Sequence, residues 1–352
     1  MKLNKTLTAL IASASLGLSG QAMALGTTSG TPITNTATLD FKVNSLDQAQ
    51  VSDDAVFNVA TLVNFTLTKS QSDLTDITAG AEGVLEFKVS NLGNTAFDFD
   101  LTIAEMTGGD VYAAGTTDNS SVASFKVYED TDDSLDFNAT NDSEVTYLDE
   151  VAANGEQTFF IVATALNQPV DLDIAGFNIT VDALTGGTAT TKGGVIVATA
   201  GAFVAEPATP QIVIQEDQRT DKDGIKYTTA IMAITKNVTV TSDPINLAVS
   251  PKAIPGATVQ YTLSITNTGS GKANTVVITD DLDDLDGNGS PDNHFDISTI
   301  SFTEGTDVDV SGLAIQTISS SVTSGVLSVT FTEIAAGESA TITFEVDLDD
   351  GI

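Results

Sequence analysis

The segment 280–296, DDLDDLDGNGSPDNHFD, holds the densest set of hard oxygen donors in the chain. Asp284, Asp286, Asn288 and Asp292 occupy positions one, three, five and nine of a calcium-loop pattern, and Gly289 stands at position six, where the backbone must curl to bring alternate side chains onto one ion. Position twelve is Phe295 in place of a bidentate Glu, so the loop is not a complete EF-hand, and Asp296, one residue on, is the candidate substitute. Calcium is therefore the cofactor the pattern admits. A solvated acidic loop between two strands satisfies the same sequence. A second cluster, Asp130, Asp132, Asp133 and Asp136 with Asn138 and Asp142, lacks the turn glycine. A third run, Asp221-Lys222-Asp223-Gly224, includes a competing cation and reads as an ordinary turn.

Catalytic chemistry finds few residues to work with. The chain has no Cys, and His294 is its one His, so triads, His-rich zinc sites and His general bases all reduce to a single residue in an acidic loop. No Ser sits in a G-x-S-x-G elbow. Paired carboxylates for glycoside hydrolysis remain open because acids are everywhere, but aromatics are only 6% of residues and Trp is absent, which removes the usual sugar platforms. No catalytic residue is assigned, and the expected class is a non-enzymatic structural or interaction protein. A carbohydrate- or protein-binding adhesin module is the alternative, and a glycoside-active enzyme a distant third.

The balance of 13 Lys+Arg against 48 Asp+Glu gives a formal charge of −35. That field repels phosphate backbones and anionic lipid, attracts divalent cations and keeps a protein dispersed. No nucleic-acid partner is expected; a second copy of the chain or other surface components are the partners left open. The first residues show Lys2 and Lys5, an apolar run from Leu7 to Leu18, and Ala22-Met23-Ala24, the three-part layout of a secretory signal peptide cleaved after Ala24. A retained anchor is the alternative. No later segment has the apolar length of a membrane span. Without disulfides, an exported chain of 352 residues must stand on burial alone, and 41% hydrophobic content supplies the material.

Period-two alternation runs through 84–89, 158–162, 259–265 and 340–346, rich in Val, Ile and Thr, as half-buried strands require. Two features repeat. Gly80, a strand and Asn91-Leu92-Gly93 match Gly256, a strand and Asn267-Thr268-Gly269; Ala153-Asn154-Gly155-Glu156 matches Ala335-Ala336-Gly337-Glu338. One duplicated fold explains this, as would two unrelated sandwiches with common turn chemistry. The expected fold is all-β, with two tandem immunoglobulin-like β-sandwich domains after a cleaved signal peptide. The divisions are 1–24 signal peptide, 25–59 strand-forming arm, 60–186 first sandwich, 187–240 ordered connector with strands, and 241–352 second sandwich. The arm's alternating stretch 31–43 can complete its own domain or pair with the open edge of a neighbour.

The run PKAIPGATVQYTLSITNTGSGKANTVVITD, 251–280, resembles the opening of the bacterial surface repeat catalogued as domain of unknown function 11. ITKNVTVTSDP before it and IAAGESATITFEVDL after it extend the resemblance over roughly the C-terminal third. The N-terminal unit matches more loosely, with Ala79-Gly80 where that family has Pro-Gly. The resemblance implies an immunoglobulin-like sandwich in a large exported or cell-surface protein, and supplies no catalytic residues. The architecture is also similar to that of fibre-forming biofilm matrix proteins, with no shared motif.

Overall fold

The computed structural model describes residues 26–207, 209–282, 294–303, 317–323 and 326–349. Every regular element among them is a strand. An amino-terminal hairpin comprises β1 (Pro32–Leu39), β2 (Lys42–Val43), β3 (Leu46–Asp47) and β4 (Val51–Asn58). The first sandwich follows as β5 (Thr61–Val63), β6 (Phe65–Lys69), β7 (Thr75–Ile77), β8 (Glu82–Asn91), β9 (Phe97–Glu105), β10 (Ser124–Glu129), β11 (Ser143–Glu144), β12 (Tyr147–Val151), β13 (Glu156–Thr164), β14 (Ile174–Thr185), β15 (Ile212–Ile214) and β16 (Gln218–Tyr227). The second is β17 (Met232–Ser242), β18 (Thr258–Asn267), β19 (Ala273–Asp281), β20 (Phe295–Thr303), β21 (Thr317–Thr323), β22 (Val326–Ile334) and β23 (Ser339–Leu348).

Two tandem immunoglobulin-like sandwiches result. The first packs the sheet β11-β10-β13-β8-β6 against β12-β9-β14-β16-β7, and the second packs β17-β18-β23-β20 against β19-β22-β21. Alternation does the work in each: the inward residues of β8 (Leu85, Phe87, Val89), β13 (Phe159, Ile161) and β14 (Phe177, Ile179, Val181) are buried in one cluster, and those of β18 (Leu263, Ile265), β22 (Leu327, Val329, Phe331) and β23 (Ile342, Phe344, Val346) in another.

The duplication extends to individual hydrogen bonds. Asn91 is fully buried; its Nδ2 donates to the carbonyls of Thr95 (2.9 Å), Val151 (2.8 Å) and Ala152 (3.1 Å), and its Oδ1 accepts from Gly93 N (2.9 Å). Asn267 repeats the set on Gly271 (2.8 Å), Ile334 and Ala335 (3.1 Å each), with Gly269 N on its Oδ1 (3.1 Å). Each Asn pins its own turn to the turn that precedes the closing strand. The opening glycines also agree, Gly80 at φ 69° and Gly256 at φ 76°, a conformation that disfavours a side chain.

Two segments differ from the sequence expectation. The expected connector, 187–240, divides between the sandwiches. β16 pairs with β14 and buries Ile225 and Tyr227 in the first core, while β17 is an edge strand of the second. Length and turn residues suggested a link, but the strand's partners lie elsewhere in the chain. The arm does not join either large sheet. β1 pairs with β4 from Pro32↔Asn58 to Leu39↔Val51, and β2 with β3 beyond it, closed by Asn44 and Ser45, both at positive φ. The hairpin extends roughly 40 Å at about 3.3 Å per residue.

Candidate functional site

Asp284, Asp286, Asn288 and Asp292 lie outside the described residues, so the calcium loop read from the sequence has no geometry here. Asp296 is described: it is exposed near the start of β20, opposite Asp347 in the ladder. His294 is exposed and its carbonyl accepts from Asp349 N at 3.1 Å.

The cluster between β10 and β11 does converge. One oxygen from each of Asp130, Asp132 and Asp142 lies within 4.8 Å of the others. Their remaining capacity goes to the loop itself. Asp130 accepts from Ser134 N (3.2 Å) and Leu135 N (3.1 Å), Asp142 from Thr131 N (3.3 Å) and Asn138 N (2.7 Å), and Asp132 from Asn141 Nδ2 (2.7 Å). A hydrogen bond from Ser134 is the main reason Asp132 titrates below the ordinary carboxylate range. Asp133 and Asp136 are exposed and stand outside this group. Where the sequence lacks a turn glycine, Asp133 and Leu135 take positive φ, 55° and 63°.

A second convergence was invisible in the sequence. Asp98 on β9 and Asp149 and Glu150 on β12 each offer an oxygen within 4.8 Å of the others. A register shift between Leu148 and Val151, with Glu150 at φ 50°, turns the two acids toward Asp98. The glycine-rich stretch after β14 wraps them with backbone donors. Gly187 N and Thr188 N (2.8 Å) reach Glu150 Oε1, Thr190 N reaches Asp149 Oδ2 (2.7 Å), and Gly193 N reaches Asp98 Oδ2 (2.7 Å). Asp149 Oδ1 is buried with no hydrogen-bond partner. Beside it opens a depression of about 490 Å³ lined by Glu129, Glu144 and Asp149. Burial first, then the charges of Asp149 and Asp130, raises the Glu129 carboxyl. No single window of sequence contains these residues, because the ladder brings them together across fifty positions.

No family model matches the chain, and no curated protein matches it. Solved structures with a similar arrangement include the C-terminal domain of the AgI/II polypeptide BspA of Streptococcus agalactiae (7% identity, TM-score 0.32, 81% of this chain and 91% of that one). Another is the CsuC-CsuE chaperone-tip adhesion subunit pre-assembly complex of the Csu pili of Acinetobacter baumannii (11%, 0.22, 80% and 100%). A third is the type II cohesin dyad from the adaptor ScaA scaffoldin of Acetivibrio cellulolyticus (8%, 0.17, 81% and 85%). TM-scores this low carry no argument about what the chain does, and the fold rests on the strand pairing given above.

The run Asp221-Lys222-Asp223-Gly224 is not a turn. It lies inside β16, where Asp223 is fully buried and accepts from the Tyr112 hydroxyl and from Gly224 N (2.7 Å). Gly224 serves close approach: a Cβ there would stand 2.8 Å from the Ala175 carbonyl oxygen on β14. Burial raises the Asp223 carboxyl, and burial with the neighbouring Asp223 raises the Tyr112 hydroxyl.

Among the described residues no helix is long and apolar enough to cross a membrane. The most unusual surface is the hairpin. Ile33, Ala37, Leu39, Val51, Ala55 and Phe57 share one face through direct pairing, and the opposite face is largely Thr and other polar residues. Leu39 is 59%, Val51 54% and Phe57 41% exposed. Among the described residues the hairpin is held at its base, by Phe57 against Phe203 (6.4 Å between centroids) and by Asn58 N on the Ala205 carbonyl (2.8 Å).

Proposed function

We propose that this chain is an exported, non-catalytic surface or matrix protein that works by presenting β-structure to partners. The observation that carries the reading is the exposed, amphipathic β1–β4 hairpin. A two-stranded hairpin is marginal in water, and an uncovered apolar face on one is the mark of an interaction surface. The leader-like first 24 residues, the charge of −35 and the single His agree with a dispersed, exported protein without acid–base machinery. The resemblance of 251–280 to the domain of unknown function 11 repeat favours the same compartment. Recovery of protein outside the cytoplasm beginning at Leu25 is the expected result of fractionation and N-terminal sequencing. Stable protein confined to the cytoplasm, or held in the membrane by an intact leader, refutes the reading.

A divalent cation, calcium by donor chemistry, is a second part of the proposal. Its support is the buried, unpartnered Asp149 Oδ1 among three converging carboxylates, a placement that costs free energy unless positive charge meets it. Millimolar calcium should raise the thermal midpoint by binding the folded state alone. Asp149→Asn should abolish the shift if this group is the site, and Asp284→Asn with Asp286→Asn should abolish it if the 284–296 loop is. No shift in the unaltered protein refutes calcium at both.

A further inference from the structure

The two sandwiches are not equally complete. Asn91 and Asn267 fix their alignment: each donates to the last carbonyl of the strand before the closing turn, Val151 of β12 and Ile334 of β22, and these residues pair with Phe97 of β9 and Ala273 of β19. Thus β12 corresponds to β22, and β9 to β19. In the first sandwich the other edge of β9 carries β14, from Phe97↔Thr185 to Glu105↔Phe177, and β14 carries β16 in turn. Among the described residues of the second sandwich, no strand takes either place, and β19 ends its sheet.

Among the described residues, the lack of that pair goes with exposed apolar residues. β6 and β17 are equivalent edge strands, since Phe65 pairs with Asn91 and Met232 with Asn267. Phe65 is 0% exposed under the first sandwich's second sheet, whereas Met232 is 39% exposed. Ile234 and Val238, on the same side of β17, are 57% and 60% exposed, although they pair with the inward residues Ile265 and Tyr261. Among its described residues the second sandwich therefore offers a slot bounded by the exposed apolar stripe of β17 and the open edge of β19, two strands joined by the Lys236–Asp280 ion pair.

We infer that the β1–β4 hairpin of a second copy of this chain fills that slot, standing where β14 and β16 stand in the first sandwich. This deepens the surface-protein reading by naming the partner. The hairpin is itself an antiparallel pair, its strands are as long as the β19 edge allows, and its apolar face is open. The one cation of the β17 stripe is already neutralised within the chain. In the first sandwich Lys69 of β6 pairs with Asp221 of β16 at 3.1 Å. Its equivalent in the second, Lys236, is the one charge in the stripe Met232, Ile234, Lys236, Val238, and it is already paired with Asp280 of β19 at 2.8 Å. The hairpin's apolar face carries one charge, Asp53 of its second strand. β1 itself carries no charge, and β4 beside it carries Asp53 and Asp54.

Cysteine pairing in the purified full-length protein tests this, since the natural chain has no Cys. Ala37→Cys lies on the hairpin's apolar face, Thr36→Cys on its polar face, and Ile234→Cys in the slot; all three positions are exposed, so folding is spared. Mixing Ala37→Cys with Ile234→Cys protein under mild oxidation should give disulfide-linked heterodimers, and Thr36→Cys should give few. Leu39→Ala should weaken concentration-dependent association of the otherwise natural chain roughly tenfold or more. Equal cross-linking from both faces, a disulfide formed within one chain carrying Ala37→Cys and Ile234→Cys, or a protein that stays monomeric at all concentrations overturns the inference. None of these results bears on export, which the N-terminal sequence decides separately.

Discussion

Removing the Asn91 side chain should unfold the first sandwich far below its usual midpoint, and the structure sets the size of the effect. Asn91→Ala deletes the two N–H donors that three carbonyls share and one accepted bond, all inside a fully buried site, and leaves the carbonyls of Val151 and Ala152 to find other partners. At about 1 kcal/mol net for each of the two donors and the one acceptor, the loss is roughly 3 kcal/mol before any desolvation cost of the orphaned groups. For a unit of this size that corresponds to a midpoint about 6–12 °C lower. Asn267→Ala should do the same to the second sandwich, because it removes the matching donors and acceptor. Differential scanning calorimetry of the full chain resolves the two cases by which transition moves. A shift worth under about 1 kcal/mol for either variant would refute the claim that these side chains hold the turns together. So would both transitions falling equally on either substitution, since the units would then not be separate bodies of stability.

Acid and alkali should act at different residues. Hydrogen bonds from Asn246 N, and then others including Lys252 N, hold the Asp243 carboxyl down to about 2. A depressed acid stabilises above its ordinary titration range, and that stability is lost as pH falls through the folded value; the loop after β17 should therefore loosen between about pH 4 and pH 2, seen as faster amide exchange at 243–252, and Asp243→Asn should remove the dependence. Burial raises Asp223, so its contribution has the opposite sign: stability falls as pH rises from the ordinary carboxylate range through the raised value. Asp223→Asn should match the natural protein near pH 4 and exceed its midpoint at pH 7, and a lower midpoint at pH 7 would contradict this.

Much of the fold was legible because alternation is a local signal. The stretches 84–89, 158–162, 259–265 and 340–346 all fall within strands, and the repeated Asn and Gly positions coincide with a repeated hydrogen-bond network. What escaped was set by pairing partners distant in sequence. Asp221 to Gly224 has turn composition, yet β14 holds it extended. The segment 187–240 looks like a link until β14 pairs with its strand β16 and β18 with its strand β17. Asp98 meets Asp149 and Glu150 only through a shifted ladder, whereas Asp130, Asp132 and Asp142 were legible as neighbours in one loop. That no described strand beside β19 corresponds to β14 or β16 shows only when the two sheets are compared strand by strand.

Amide hydrogen exchange followed by mass spectrometry, on dilute and concentrated full-length protein, tests the central claim most directly. The account predicts that β1, β4 and β19 exchange fast in dilute protein, where the hairpin is exposed on both faces and β19 ends its sheet, and become protected together on concentration. Protection of all three already complete in the dilute monomer, or protection on concentration that spares β19, would contradict it.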